Sequence, residues 1–80
     1  MNNKEQAMQL SNKVDSIIND KNNFSNLLFF DNSSLDVRLL SMNSRLDSNG
    51  LFTCSLETFT NDINLTTTYD IYKIKDINKY

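Results

Sequence analysis

A hairpin is written into Asp47-Ser48-Asn49-Gly50 more firmly than any other element of this sequence. Asp47 can open a type I turn by bonding its own backbone, and Gly50, the sole glycine, can take the left-handed conformation that closes a hairpin with a bulge. A two-residue turn centred on Asn49-Gly50 competes with it and would shift the strand register by one. Beyond the turn Phe52, Cys54 and Leu56 alternate with Thr53, Ser55 and Glu57, the period of a strand with one wet face.

From Asn3 to about Lys21 the period changes. Ala7, Leu10, Val14, Ile17 and Ile18 recur at spacings of three and four, which places them on one stripe of an amphipathic helix. Asn19-Asp20-Lys21-Asn22-Asn23 terminates it, because asparagine tolerates the left-handed C-terminal position. Phe24 and Leu27-Leu28-Phe29-Phe30 read as a first strand, closed by the turn cluster Asp31-Asn32-Ser33-Ser34. Leu35 to Leu46 fits two periods. Leu35, Val37 and Leu39 alternate as in a strand, while Leu35, Leu39, Met42 and Leu46 also form a helical stripe. The strand is preferred, because turns on both sides suit a meander. Leu65 to about Lys75, rich in Thr and Tyr, is expected as the last strand, with Asp76 to Tyr80 frayed.

The expected fold is α+β in a single domain of 80 residues: a helix over about 3–21 packed on a four-stranded antiparallel meander, with strands near 25–30, 35–46, 51–60 and 65–75. A helix over 35–46 is the alternative, giving two helices plus a C-terminal hairpin. A chain of this length has a thin core, and a single cysteine excludes an internal disulfide. Oligomerisation is then the ordinary remaining way to bury more apolar surface.

Side-chain parity along the meander points to a partner. Phe29, Leu35, Val37, Leu39, Phe52, Cys54, Leu56, Leu65, Tyr69 and Ile71 can share the helix-covered face, whereas Leu40, Met42, Phe59, Tyr72 and Ile74 have the opposite parity, with Phe30 behind them. One helix covers one face, so the second face, or an unpaired edge strand, is expected to bind another polypeptide, with a homodimer the simplest form.

The chemistry available is sparse. There is no histidine for acid–base work or for the common zinc sets, and Cys54 sits in the inward register of a strand. Asp31, Asp47 and Asp62 fall at turns, where Asp is common for its local hydrogen bonds. Asp47-Ser48-Asn49-Gly50 resembles the opening of a calcium loop but lacks the alternating ligands and the later glutamate. No enzyme activity, metal or cofactor is expected. Tyr72, Lys73, Lys75 and Lys79 interleave aromatic and cationic side chains, the combination with which a sheet binds single-stranded nucleic acid, but Asp70 and Asp76 dilute them and the formal net charge is -2. Lysine on an edge strand also guards against aggregation.

No apolar run is long enough to span a bilayer and no secretory leader is evident, so a cytoplasmic protein without membrane contact is expected. The leading functional expectation is a small non-enzymatic protein-binding or regulatory protein; its asparagine-rich, lysine-rich and isoleucine-rich usage suits an AT-rich genome, and its length, acidity and lack of catalytic residues suit a phage or mobile-element inhibitor of a host protein and equally an antitoxin or immunity protein. A single-stranded nucleic-acid binder is the alternative.

Overall fold

The computed structural model describes residues 3–80. One helix, α1 (Asn3–Ile18), is followed by β1 (Phe24–Phe29), β2 (Ser34–Leu46), β3 (Phe52–Thr60), β4 (Leu65–Asp70), a 3-10 turn η1 (Ile71–Lys73) and β5 (Ile74–Lys79). The fold is α+β, as the periodicities require, with residues 34–46 a strand. A fifth strand is added to the expected meander. The segment expected as one strand over 65–75 with a frayed tail is instead two strands joined by η1, and the tail carries β5. Isoleucines 71, 74 and 77, all buried, recur every three residues, a spacing that a continuous alternating strand does not place on one face. Asp70 starts the 3-10 turn by accepting the Tyr72 N–H at 3.0 Å.

All strand pairings are antiparallel and the sheet order is β4-β3-β2-β1-β5. Two hairpins share one turn design. In the first, Phe29 N–H bonds Ser33 C=O and Asn32 N–H bonds Phe29 C=O; in the second, Asp47 and Leu51, and Gly50 and Asp47, make the same two bonds. The left-handed position is Asn32 (φ 69°) in one and Gly50 (φ 83°) in the other, so the second turn is the bulged form opened by Asp47. The Asp47 carboxylate accepts both Asn49 N–H and Leu51 N–H at 2.9 Å.

A flat sheet cannot contain this chain. β4 and β5 lie four strand spacings apart in the sheet order, about 19 Å if flat. Asp70 and Ile74, the ends to be joined, are separated by only three residues of η1, which span about 8 Å in 3-10 geometry and at most about 14 Å when extended. The sheet therefore curls until its two edges approach one another. Two devices allow this. β2 is long and divided: Ser34 to Arg38 pair with β1, Arg38 to Leu46 pair with β3, and Arg38 is common to both ladders. A bulge at Leu40 and another in β5 beside Leu28/Phe29 increase the local twist. Contact of the Phe29 and Tyr69 rings, with centroids 5.5 Å apart, ties β1 to β4 across the curl.

Inside the curl lies α1. Ala7, Leu10, Val14 and Ile17 meet Leu27, Val37, Leu39, Phe52, Cys54, Leu56, Ile71, Ile74 and Ile77 in one core. The bulge explains a parity that the sequence reading assigned to a second face. Before it, Val37 and Leu39 point inward; after it, Met42 pairs with Leu56 and also points inward, leaving Leu40 as the extra residue on the surface. Leu39→Ala should therefore cost about 2–5 kcal/mol, and Leu40→Ala less than about 0.5 kcal/mol, in urea unfolding followed by circular dichroism. Equal losses at the two positions would contradict the bulge.

A candidate interaction edge on the fourth strand

The curl leaves two edge strands, and the chain treats them differently. At β5, hydrogen bonds to β1 are carried by alternate residues; Tyr80 N–H bonds Phe24 C=O, which fixes the phase, so Lys75, Ile77 and Lys79 turn their backbone groups outward. These groups are partly taken. Gln6 Nε2 donates to Lys75 C=O at 3.1 Å, and the Asp76 carboxylate accepts the Ile77 N–H at 2.8 Å. Around them Lys13 pairs with Asp76 at 3.3 Å, Asp20 pairs with Lys79, and Asn22 Nδ2 donates to Tyr80 C=O at 3.0 Å. Gln6, Lys13 and Asp20 are spaced by seven residues, about two helical turns, so one stripe of α1 and its C-terminal extension straps the β5 edge.

At β4 the phase follows from the hairpin. Asp47 N–H bonds Leu51 C=O, so Thr53, Ser55 and Glu57 face β2, and Leu56, Thr58 and Thr60 face β4. Their partners Tyr69, Thr67 and Leu65 complete that ladder, and the backbone groups of Thr66, Thr68 and Asp70 turn outward. Among the described residues the one side-chain bond to a β4 backbone group is the Thr58 hydroxyl donating to Thr67 C=O at 3.2 Å. The strand reads Leu-Thr-Thr-Thr-Tyr-Asp, without lysine, proline or an inward charge, the usual guards of an edge. Leu65 is half exposed (50%).

Beside the Tyr69 end of this edge lies an open cleft of about 500 Å³ lined by Phe29, Phe30, Asp31, Ser33, Tyr69 and Lys73. Phe30, 56% exposed, forms one wall. The cleft exists because the curl brings the β1–β2 turn against η1 without sealing the gap.

The residues expected to form a second apolar face do not come together. Ile74 is buried in the core, where η1 reverses the parity expected of a continuous strand, and Met42 packs against that core. Leu40 is exposed at the bulge, and Phe59 is half-buried on the outer face, paired with Arg38 and Thr66. Tyr72 stands on η1 with its hydroxyl donating to Phe52 C=O. Of the residues expected to bind nucleic acid, Lys73 borders the aromatic cleft, Lys75 is exposed with its carbonyl held by Gln6, and Lys79 is paired with Asp20. An edge strand is among the surfaces expected to bind a partner, but the Thr66 to Tyr69 segment was not singled out, although a Thr-rich stretch free of lysine and proline was its signal.

The outer face holds a separate polar cluster. Arg38 lies over the Phe24 ring at 4.7 Å, and Asp36 accepts from Asn26 Nδ2 at 2.9 Å and from the Tyr80 hydroxyl. The Tyr80 bond first, then the Asn26 bond, holds the Asp36 carboxyl below its ordinary range; the same hydrogen bond to Asp36 raises the Tyr80 phenol. Lys79 lowers Asp20, and the Ser33 hydroxyl lowers Asp31. Burial, then the Asp70 charge, pushes the Cys54 thiol up, which disfavours the thiolate a nucleophile needs. Among the described residues no group of three His, Cys, Asp or Glu side chains converges as a metal site would require, and no helix is long and apolar enough to cross a membrane. Compared with known proteins, the chain matches no family model, no curated protein and no solved structure.

The Asp36–Tyr80 bond has a pH signature. Asp36 is depressed on folding, so its contribution is complete above about pH 4 and fades as the pH falls through that range; Tyr80 is raised, so its contribution holds below about pH 10 and fades above it. Asp36→Asn should bring the Tyr80 phenol down toward its ordinary value in a titration of phenolate absorbance. An unchanged titration curve would show that the bond is not formed.

Proposed function

We propose that this protein acts without catalysis, by accepting an extended segment of another polypeptide along β4. The observation that supports this reading is the contrast between the two edges: β5 is strapped by α1, while Thr66 and Thr68 offer unpaired N–H and C=O groups on a strand that lacks the usual guards. Strand addition uses such groups for affinity and the pockets beside alternate side chains for selectivity. The cleft of Phe29, Phe30 and Tyr69 supplies such a pocket at one end. The absence of histidine and the raised thiol of Cys54 fit a binding role better than a catalytic one. An inhibitor docking onto a larger host protein would use the same edge.

Amide exchange reads this directly. In dilute protein Thr66 and Thr68 should exchange quickly and Thr67 and Tyr69 slowly; a bound partner should protect Thr66 and Thr68. Thr68→Pro removes an outward donor without breaking the ladder to β3, and should weaken partner capture about tenfold with the circular dichroism unchanged. Full capture by that variant would exclude the edge.

Single-stranded nucleic acid is the second reading, supported by Lys73 beside the exposed ring of Phe30 in the same cleft. Asp31 shares that cleft and Asp20 engages Lys79, which weakens it. A salt-sensitive gel shift with a short single strand, reduced by Lys73→Ala, is its expected outcome, and no shift at low salt ends it.

A further inference from the structure

We propose that the occupant of the β4 edge is a second copy of this chain, paired antiparallel across a two-fold axis through Thr67, with each Leu65 seated against the partner's Tyr69. This rests on the edge reading above and names its partner.

The register follows from parity. A two-fold axis perpendicular to the joined sheet keeps the inner faces of both copies on one side, so Leu65, Thr67 and Tyr69 must meet one another and Thr66 and Thr68 must do the same. Only axes through a residue satisfy this. With Thr67 on the axis, Leu65 lies opposite Tyr69 twice and Thr66 opposite Thr68 twice. Thr66 and Thr68 are the residues whose backbone groups turn outward, so these two pairs close about four new backbone hydrogen bonds.

The side chains agree with the same register. Leu65 is half exposed within its own subunit, and Tyr69, which packs against the core and the Phe29 ring, is only half-buried. Pairing places the leucine of one copy beside the ring of the other, at the mouth of the aromatic cleft. No charged residue falls within the 65–69 overlap. An axis through Thr68 would set Asp70, already engaged with the Tyr72 N–H, opposite Thr66 and would leave Leu65 uncovered. Five residues make a small interface, so the dimer should be of micromolar affinity or weaker.

Two measurements on the full chain test this. Thr67 sits on the axis in a non-hydrogen-bonded pair, where Cα atoms lie about 4.5 Å apart, a separation a disulfide spans. Thr67→Cys should therefore give a covalent dimer under mild oxidation, whereas Thr68→Cys should not, and the wild type, with Cys54 buried, should stay unlinked. Sedimentation equilibrium at about 100 μM should show a dimer whose dissociation constant rises at least about tenfold in Leu65→Lys, with unchanged circular dichroism. Linkage through Thr68→Cys instead overturns the register. A wild-type monomer whose Thr66 and Thr68 amides become protected by another protein overturns the self-pairing alone, and a dimer that leaves those amides unprotected overturns the edge reading with it.

Discussion

The hop from Asp70 to Ile74 governs this molecule. Two strands at opposite ends of the sheet order are joined by three residues, and geometry leaves the sheet no option but to curl. Everything else accommodates that requirement. β2 divides its length between two ladders, bulges at Leu40 and in β5 supply the extra twist, and Phe29 meets Tyr69 across the opening. Curling also lets a single short helix serve a five-stranded sheet. Its apolar stripe of Ala7, Leu10, Val14 and Ile17 fills the concave side, and Ile71, Ile74 and Ile77 extend that core past the corner.

The polar side of α1 and the turn that follows it do a second job. Gln6, Lys13 and Asp20 reach β5, and Asp76 turns back to bond Ile77 N–H. Exposed ion pairs of this kind stabilise little. Their consequence is positional, since they occupy one edge of the sheet and leave the other open. An open, Thr-rich edge next to an aromatic cleft is a surface suited to accepting a strand, and the proposed function follows from that asymmetry and not from any reactive group.

Much of the fold was legible from period alone. The helical stripe of residues 7–18, the turn at Asp47 to Gly50 and the alternation of Phe52, Cys54 and Leu56 each reflect local rules that tertiary structure did not override. The fifth strand was not legible by the same means, because a 3-10 turn shifts parity by an amount that an alternating pattern cannot anticipate. The bulge at Leu40 acts likewise on β2. Those two shifts are why Met42 and Ile74, which share a parity with Leu40 and Tyr72 on paper, point into the core. An edge position for the last strand of the meander was expected; what was hidden is that its lysines fall beyond Asp70, on η1 and β5, so that β4 itself carries none.

The most direct measurement of the curl is the set of nuclear Overhauser contacts between the ring protons of Phe29 and Tyr69, assigned alongside the β3–β4 ladder. Strong ring-to-ring contacts are expected, because the centroids lie 5.5 Å apart. Their absence, with the β3–β4 and β1–β5 ladders intact, would mean an open sheet with a rebuilt corner, and the asymmetry of its edges would have to be abandoned.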